Sequence, residues 1–260
     1  MKYGFLGCGN MGGAIARALS LKTKDIAVTD RSGRAKLLAQ ELGVTYSDNA
    51  SIASDCDRIF LAVKPHMMKD MLLPLRQTLA QRKPLLITMA AGLEIRQIEE
   101  FVGAHLPVIR IMPNTPAAIG QGVVQVCGRG VSRAQLDACK AILAPAGLVD
   151  EIDEKLIDAA SCVSGCGPAF AYLFMEALAD GGVACGLPRE QALRYAAQMV
   201  AGSAEMVLQS GRHPGQLKDA VCSPGGTTIQ GVRALEANGF RSAAMEAVLA
   251  AYEKTLKLGK

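Results

Sequence analysis

The residues best suited to chemistry open the chain. Residues 2–6, Lys-Tyr-Gly-Phe-Leu, run into Gly7-Cys8-Gly9-Asn10-Met11-Gly12, and Ala14, Ile15, Ala18 and Leu19 follow at helical spacing. A G-x-G-x-x-G that closes a strand and opens a helix is a dinucleotide-binding fingerprint. Gly7 permits the turn, Gly9 lets backbone approach a pyrophosphate, and Gly12 lets helix pack on strand. Unpaired amides at the helix start then meet the phosphate charge, helped by the helix dipole. Asp30 lies after the next apolar stretch, close to the roughly twenty-residue spacing of the ribose-binding acid. It would accept a ribose 2′-hydroxyl and repel a 2′-phosphate, whereas Arg31, Ser32 and Arg34 would pair with that phosphate.

A second stretch with chemical potential is Val221-Cys222-Ser223-Pro224-Gly225-Gly226-Thr227-Thr228. Its glycines, threonines and serine at a helix start could form an anion pocket of amides and hydroxyls. The same residues also suit a plain turn between helices with capping threonines. Asn114, between Pro113 and Pro116, could hold a nicotinamide carboxamide or stabilise a turn. No Ser/His/Asp, Cys/His or paired-carboxylate arrangement stands out. The eight cysteines include no CxxC, and His66, His105 and His213 are far apart, so neither a metal site nor a disulfide framework is expected. The pair Cys162 and Cys166 reads as loop packing. The demanding chemistry therefore falls to a cofactor.

These residues need elements to position them. Apolar runs at 25–29, 58–63, 85–90 and 108–111 read as strands, with helices predicted at 34–42, from 66 to about 79, and at 94–102. Ser47-Asp48-Asn49 reads as a helix cap. Residues 122–127, a helix at 132–143 and a strand at 148–149 complete the pattern. Alternation at this rhythm predicts an α/β, Rossmann-like, doubly wound sheet over residues 1–150. Its ligands should lie at the carboxyl ends of strands, where Lys64-Pro65 and Ala90-Ala91-Gly92 fall. Residues 151–260 read as an all-α domain. Residues 168–184 are apolar on almost every side, which predicts burial against a second subunit. Pro168, Pro188 and Pro214 each fit a first helical turn.

Composition sets further bounds. Half of the 260 residues are hydrophobic, and a net charge of +4 is dispersed along the chain, so no nucleic-acid partner is expected. No uninterrupted apolar run suggests a membrane span. The first strand begins at residue 2, which leaves no room for a signal peptide and predicts a cytoplasmic location.

The chain resembles pyrroline-5-carboxylate reductases along essentially its whole length. The similarity is carried by Phe60-Leu61-Ala62-Val63-Lys64-Pro65, Arg110-Ile111-Met112-Pro113-Asn114-Thr115-Pro116, Ser164-Gly165-Cys166-Gly167-Pro168-Ala169, and Gln216-Leu217-Lys218-Asp219 leading into Ser223 to Thr228. The resemblance implies a 6-phosphogluconate-dehydrogenase-like C-terminal dimerisation domain and NAD(P)H-dependent reduction of 1-pyrroline-5-carboxylate to L-proline, the last step of proline biosynthesis. It implies NADPH as cofactor, with NADH accepted more weakly, and a homodimer extended to a ring of dimers such as a decamer. By the same resemblance Leu6, Gly7, Cys8, Gly9, Asn10, Met11, Asn49, Ala62, Val63, Lys64, Pro65, Met89, Ala90, Ala91 and Glu154 would contact the dinucleotide. Ser223, Gly225, Gly226, Thr227 and Thr228 would take the substrate carboxylate, and Thr228 would also serve the ring nitrogen as the catalytic residue. Ala220 and Asp30-Arg31 depart from patterns in relatives, which leaves the nucleotide preference open. The related β-hydroxyacid dehydrogenases place a catalytic lysine on the helix after a glycine-rich turn, and residues 168–180 contain none. A non-catalytic nucleotide sensor would not need the Ser223 to Thr228 loop.

Overall fold

Buried apolar runs in the first half of the chain form strands covered on both faces. The computed structural model describes residues 1–258, so the last two residues of the expected second domain, 259–260, lie outside the described residues. Strands β1 (Tyr3–Leu6), β2 (Ile26–Thr29), β4 (Arg58–Leu61) and β5 (Leu85–Thr88) are buried at every position. β6 (Val108–Pro113) continues the parallel set, and β3 (Thr45–Tyr46) is a short, exposed edge. These six strands lie in the order β3-β2-β1-β4-β5-β6. Phe5 and Phe60 stack between the central strands, with ring centroids 4.3 Å apart. Strand β7 (Gly122–Arg129) runs antiparallel to β6, and β8 (Gly147–Glu151) runs parallel to β7. A connection of residues 114–121 is too short for a helical crossover, so the chain reverses instead.

Helices α1 (Asn10–Ser20), α2 (Arg34–Leu42) and α3 (Asn49–Asp55) follow β1, β2 and β3. Asp48 caps α3 by accepting the Ser51 amide at 2.8 Å. The helix expected from 66 to about 79 is instead two short helices, α4 (Met68–Leu72) and α5 (Arg76–Arg82), joined and preceded by tight turns. Pro65 and Pro74 set those turns, because neither can donate a helical hydrogen bond. α6 (Ile95–Val102) follows β5, and α7 (Arg133–Leu143) lies between β7 and β8.

Packing divides the described chain after Cys166 rather than at Asp150. The first unit holds residues 1–166 together with the chain from Ala251 onward. Helix α8 (Glu154–Ser164) belongs to this unit because Arg110 on β6 and Gln125 on β7 both bond to it. The second unit, Gly167–Ala250, is wholly helical. It contains α9 (Gly167–Ala184), α10 (Arg189–Ser210), α11 (Pro214–Val221) and α12 (Thr227–Ala237), with most of α13 (Phe240–Thr255). Pro168 and Pro214 sit in first turns as expected, whereas Pro188 is the N-cap of α10.

Helix α9 is not buried all round within one chain, since only Ala179 is covered on every side. Tyr172 and Leu173 remain 59% and 68% exposed. By length and composition Glu154–Ala184 is also apolar enough to cross a bilayer. Glu176 and Asp180 interrupt its apolar part.

Candidate active site

Gly7 has φ +102°, and a side chain there would meet the Ala62 carbonyl oxygen at 2.6 Å. Gly12 is held just as closely, because a Cβ would lie 2.7 Å from the Gly7 oxygen and 2.8 Å from Ala62 Cβ. These approaches let α1 begin directly over the ends of β1 and β4. Gly9 is the N-cap of α1, with no side-chain cap, and a Cβ there would face open space. The first amides of α1, those of Asn10, Met11 and Gly12, lack helical acceptors and so offer their hydrogens outward. A cleft of about 1090 Å³ opens at the carboxyl ends of β1 to β4. The order of strands reverses between β1 and β4, where doubly wound sheets bind ligands. A bare glycine cradle, free amides and this volume fit a dinucleotide.

The cleft gathers ten of the nineteen residues expected at the cofactor, and Asn10, Met11 and Gly12, at the start of α1, do not line it. Leu6, Gly7, Cys8 and Gly9 come from the first turn, Arg31 and Ser32 follow β2, Asn49 opens α3, and Ala62, Val63 and Lys64 follow β4. Tyr46, Ser47, Asp48, His66, Met67 and Met71 also line it and escaped the sequence reading. Their common signal is position after β3 or β4, but a two-residue strand such as β3 is hard to recognise from pattern alone. Pro65, Met89, Ala90 and Ala91 stand next to these strand ends without lining the cleft. Ala90 is buried, while Met89 is tied to β4 by its amide on the Leu61 carbonyl at 3.3 Å.

Three expected contact residues also bond within the fold, and of these only Asp30 lines the cleft. Both Asp30 carboxylate oxygens serve its own loop, accepting Ser32 Oγ at 2.7 Å and the Gly33 amide at 2.9 Å. Asn114 donates from Nδ2 to the Ser164 carbonyl and accepts the Val123 amide on Oδ1, each at 2.9 Å. Pro168 has no N–H to return to that carbonyl, so the asparagine satisfies it. Both ends of the Asn114 amide thus help to hold the fold. Glu154 lies outside the cleft lining and accepts the Ile95 amide at 2.6 Å.

Burial keeps four thiols protonated, and one of them, Cys8, lines the cleft. Burial, with the Asp30 charge beside it, pushes the Cys8 thiol up to about 12. Burial also lifts Cys127 and Cys139 to about 12 and Cys56 to about 11. Thiolate is the reactive form. Maleimide at pH 8 should therefore leave these four unlabelled in native protein and label them after denaturation, as read by mass spectrometry; rapid native labelling of Cys8 would contradict this.

In the second unit, the turn between α11 and α12 carries Ser223 to Gly226. The Gly226 amide bonds the Ser223 carbonyl at 3.0 Å, and a Cβ on Gly226 would collide with Ser223 Oγ. Gly226 is the N-cap of α12 and no side chain caps that end. Thr227 and Thr228 are the first two helical residues, both exposed. Uncapped amides beside three hydroxyls are a set of donors whose chemistry suits a carboxylate.

Residues 154–258 match the family described as pyrroline-5-carboxylate reductase dimerisation, and residues 2–92 match NADP oxidoreductase, coenzyme F420-dependent. The chain is 43% identical to pyrroline-5-carboxylate reductase of Synechocystis over 100% of its length and 99% of that protein. It is 41% identical to the Pisum sativum enzyme over 98% of this chain and 95% of the relative. Among solved structures, Plasmodium falciparum pyrroline carboxylate reductase with NADP bound superposes with a TM-score of 0.89, at 35% identity, covering 100% and 98% of the two chains. A 3-hydroxyisobutyrate dehydrogenase at 16% identity shares the fold alone. With such identity along its full length, and with the cradle and the Gly-Gly-Thr-Thr turn both formed, the chain belongs to the pyrroline-5-carboxylate reductase family.

Proposed function

We propose that this reductase converts 1-pyrroline-5-carboxylate to L-proline, closing proline biosynthesis, with NADPH as preferred donor and NADH used more weakly. Asp30 carries the cofactor reading. Because its carboxylate is folded onto Ser32 and Gly33, it holds the loop on which Arg31 and Ser32 border the cleft. Neither Arg31 nor Arg34 has an ion pair among the described residues, so both guanidinium groups are available to a 2′-phosphate. Arg31→Ala should raise the NADPH KM by about tenfold or more, the scale of a lost charged hydrogen bond, with little change for NADH. Equal KM values for NADPH in parent and variant would remove Arg31 from the phosphate site.

The dinucleotide would lie on the Gly7 to Gly12 turn, with Asn49 and Ala62 to Pro65 along its path and Met89 to Ala91 supporting the neighbouring strand end. Bound and reduced, it supplies a hydride. The Ser223 to Thr228 turn would hold the substrate carboxylate on its amides and hydroxyls. Thr228 would hydrogen-bond the ring nitrogen, accepting from the protonated imine and supporting the amine that follows reduction at C5. Holding the imine in one orientation removes an entropic cost that can reach roughly 7–11 kcal/mol in favourable cases. Residues 151–260 would supply substrate binding and dimerisation, with the exposed apolar face of α9 covered by a second copy and dimers arranged in a ring such as a decamer. The cytoplasm is the proposed location. A nicotinamide absorbance assay with the cyclic imine, against 3-hydroxyacids as the competing class, tests the activity directly.

A further inference from the structure

We infer that Glu154 acts on the cofactor site at one remove, as a positioning residue that fixes the start of α6, and that buried Arg110 holds Glu154 in place. The inference rests on the reading of the cleft as a dinucleotide site. Arg110, on β6, is completely buried. A guanidinium keeps its charge under all ordinary conditions, so burial must be balanced by nearby carboxylates. Those carboxylates are Glu154 and Asp158, four residues apart on one face of α8.

The two are held differently. Arg110 Nη2 donates to Asp158, whereas Nη1 lies 3.7 Å from Glu154 Oε1, beyond hydrogen-bond range. Neither Nη1 nor Nε has a hydrogen-bond partner. The guanidinium therefore attracts Glu154 by charge without consuming its oxygen. That oxygen accepts the Ile95 amide at 2.6 Å.

Ile95 is the first residue of α6, where an amide has no helical acceptor. The adjoining amide, that of Glu94, is taken by Gln97 Oε1 at 2.9 Å. Glu154 thus anchors the downstream end of residues 89–94, while the Met89 amide anchors the upstream end on Leu61. This segment leaves β5 beside the Ala62 end of β4, which lines the cleft. A mobile α6 start would release a segment whose other end is fastened to the cofactor wall.

The test measures NADPH Kd, NADPH KM, kcat and Tm for full-length Glu154→Ala, Glu154→Gln and Arg110→Met. Glu154→Ala should weaken NADPH binding about tenfold, the scale of one hydrogen bond to a charged acceptor. Its KM should rise in step with Kd while kcat at saturating NADPH holds. Glu154→Gln keeps an acceptor oxygen for Ile95 but loses the pull of Arg110, and should recover part of the lost affinity. Arg110→Met should weaken binding in the same direction; if it fails to fold, the Ala and Gln pair decides. Parental NADPH affinity in Glu154→Ala, even with a lowered Tm, would overturn the inference. So would a Glu154→Gln protein that binds as weakly as Glu154→Ala. A folded parent that binds no NADPH would instead overturn the reading of the cleft.

Discussion

Thr228→Ala is expected to lower kcat/KM by roughly ten- to a hundredfold, about 1.5–3 kcal/mol for a hydrogen bond to a charged partner. Most of the loss should fall on kcat, because the hydroxyl is proposed to follow the ring nitrogen from imine to amine. A capping role would instead lower stability. In the structure Gly226 occupies the N-cap, Thr228 is the second helical residue and no side chain caps that end. Tm should therefore change little, as for an exposed residue outside a cap, where effects stay within about 0.5 kcal/mol. Thr228→Ser should restore turnover. A Thr228→Ala protein with parental kcat and a depressed Tm would remove the threonine from the chemistry and return it to a packing role.

Leu173→Glu should abolish assembly, leaving insoluble or monomeric protein. Leu173 is 68% exposed in the isolated chain, so a monomer would accept glutamate there at a cost within about 0.5 kcal/mol. In a dimer covering α9 the same carboxylate would be buried without a partner, a penalty of several kcal/mol. Sedimentation and Tm of parent and variant measure the difference. Identical sedimentation and stability would show that α9 is not the covered face.

The first half of the chain was legible because its signals are local. The glycine turn, the apolar runs of β1, β4 and β5, and Asp48 as a cap each depend on a few neighbouring residues. The antiparallel turn into β7 was not, because its direction follows from the length of a connection rather than from the residues within it. The apolar face of α9 was legible too, although periodicity shows that a face is apolar without showing what covers it, and the single chain leaves most of it exposed. The uses of Asp30 and Asn114 were hidden for another reason. Each depends on a hydrogen-bond partner, and for Asn114 that partner is Ser164, made available by a proline elsewhere in the sequence. Glu154 likewise finds Ile95 only after the sheet has formed.

The two outer strands of the sheet carry a consequence for solubility. An exposed strand edge is a template on which another chain can add a strand and begin to aggregate. At one margin β3 offers only Thr45 and Tyr46, too short to hold a register. At the other, β8 ends in Asp150 and Glu151, and Glu151 is paired with Lys140 at 3.1 Å and Arg133 at 2.9 Å. An incoming strand would have to desolvate those charges. Removing them, as in Asp150→Val with Glu151→Val, would expose a longer apolar edge beside Leu148 and Val149 and favour fibrous association through the sheet.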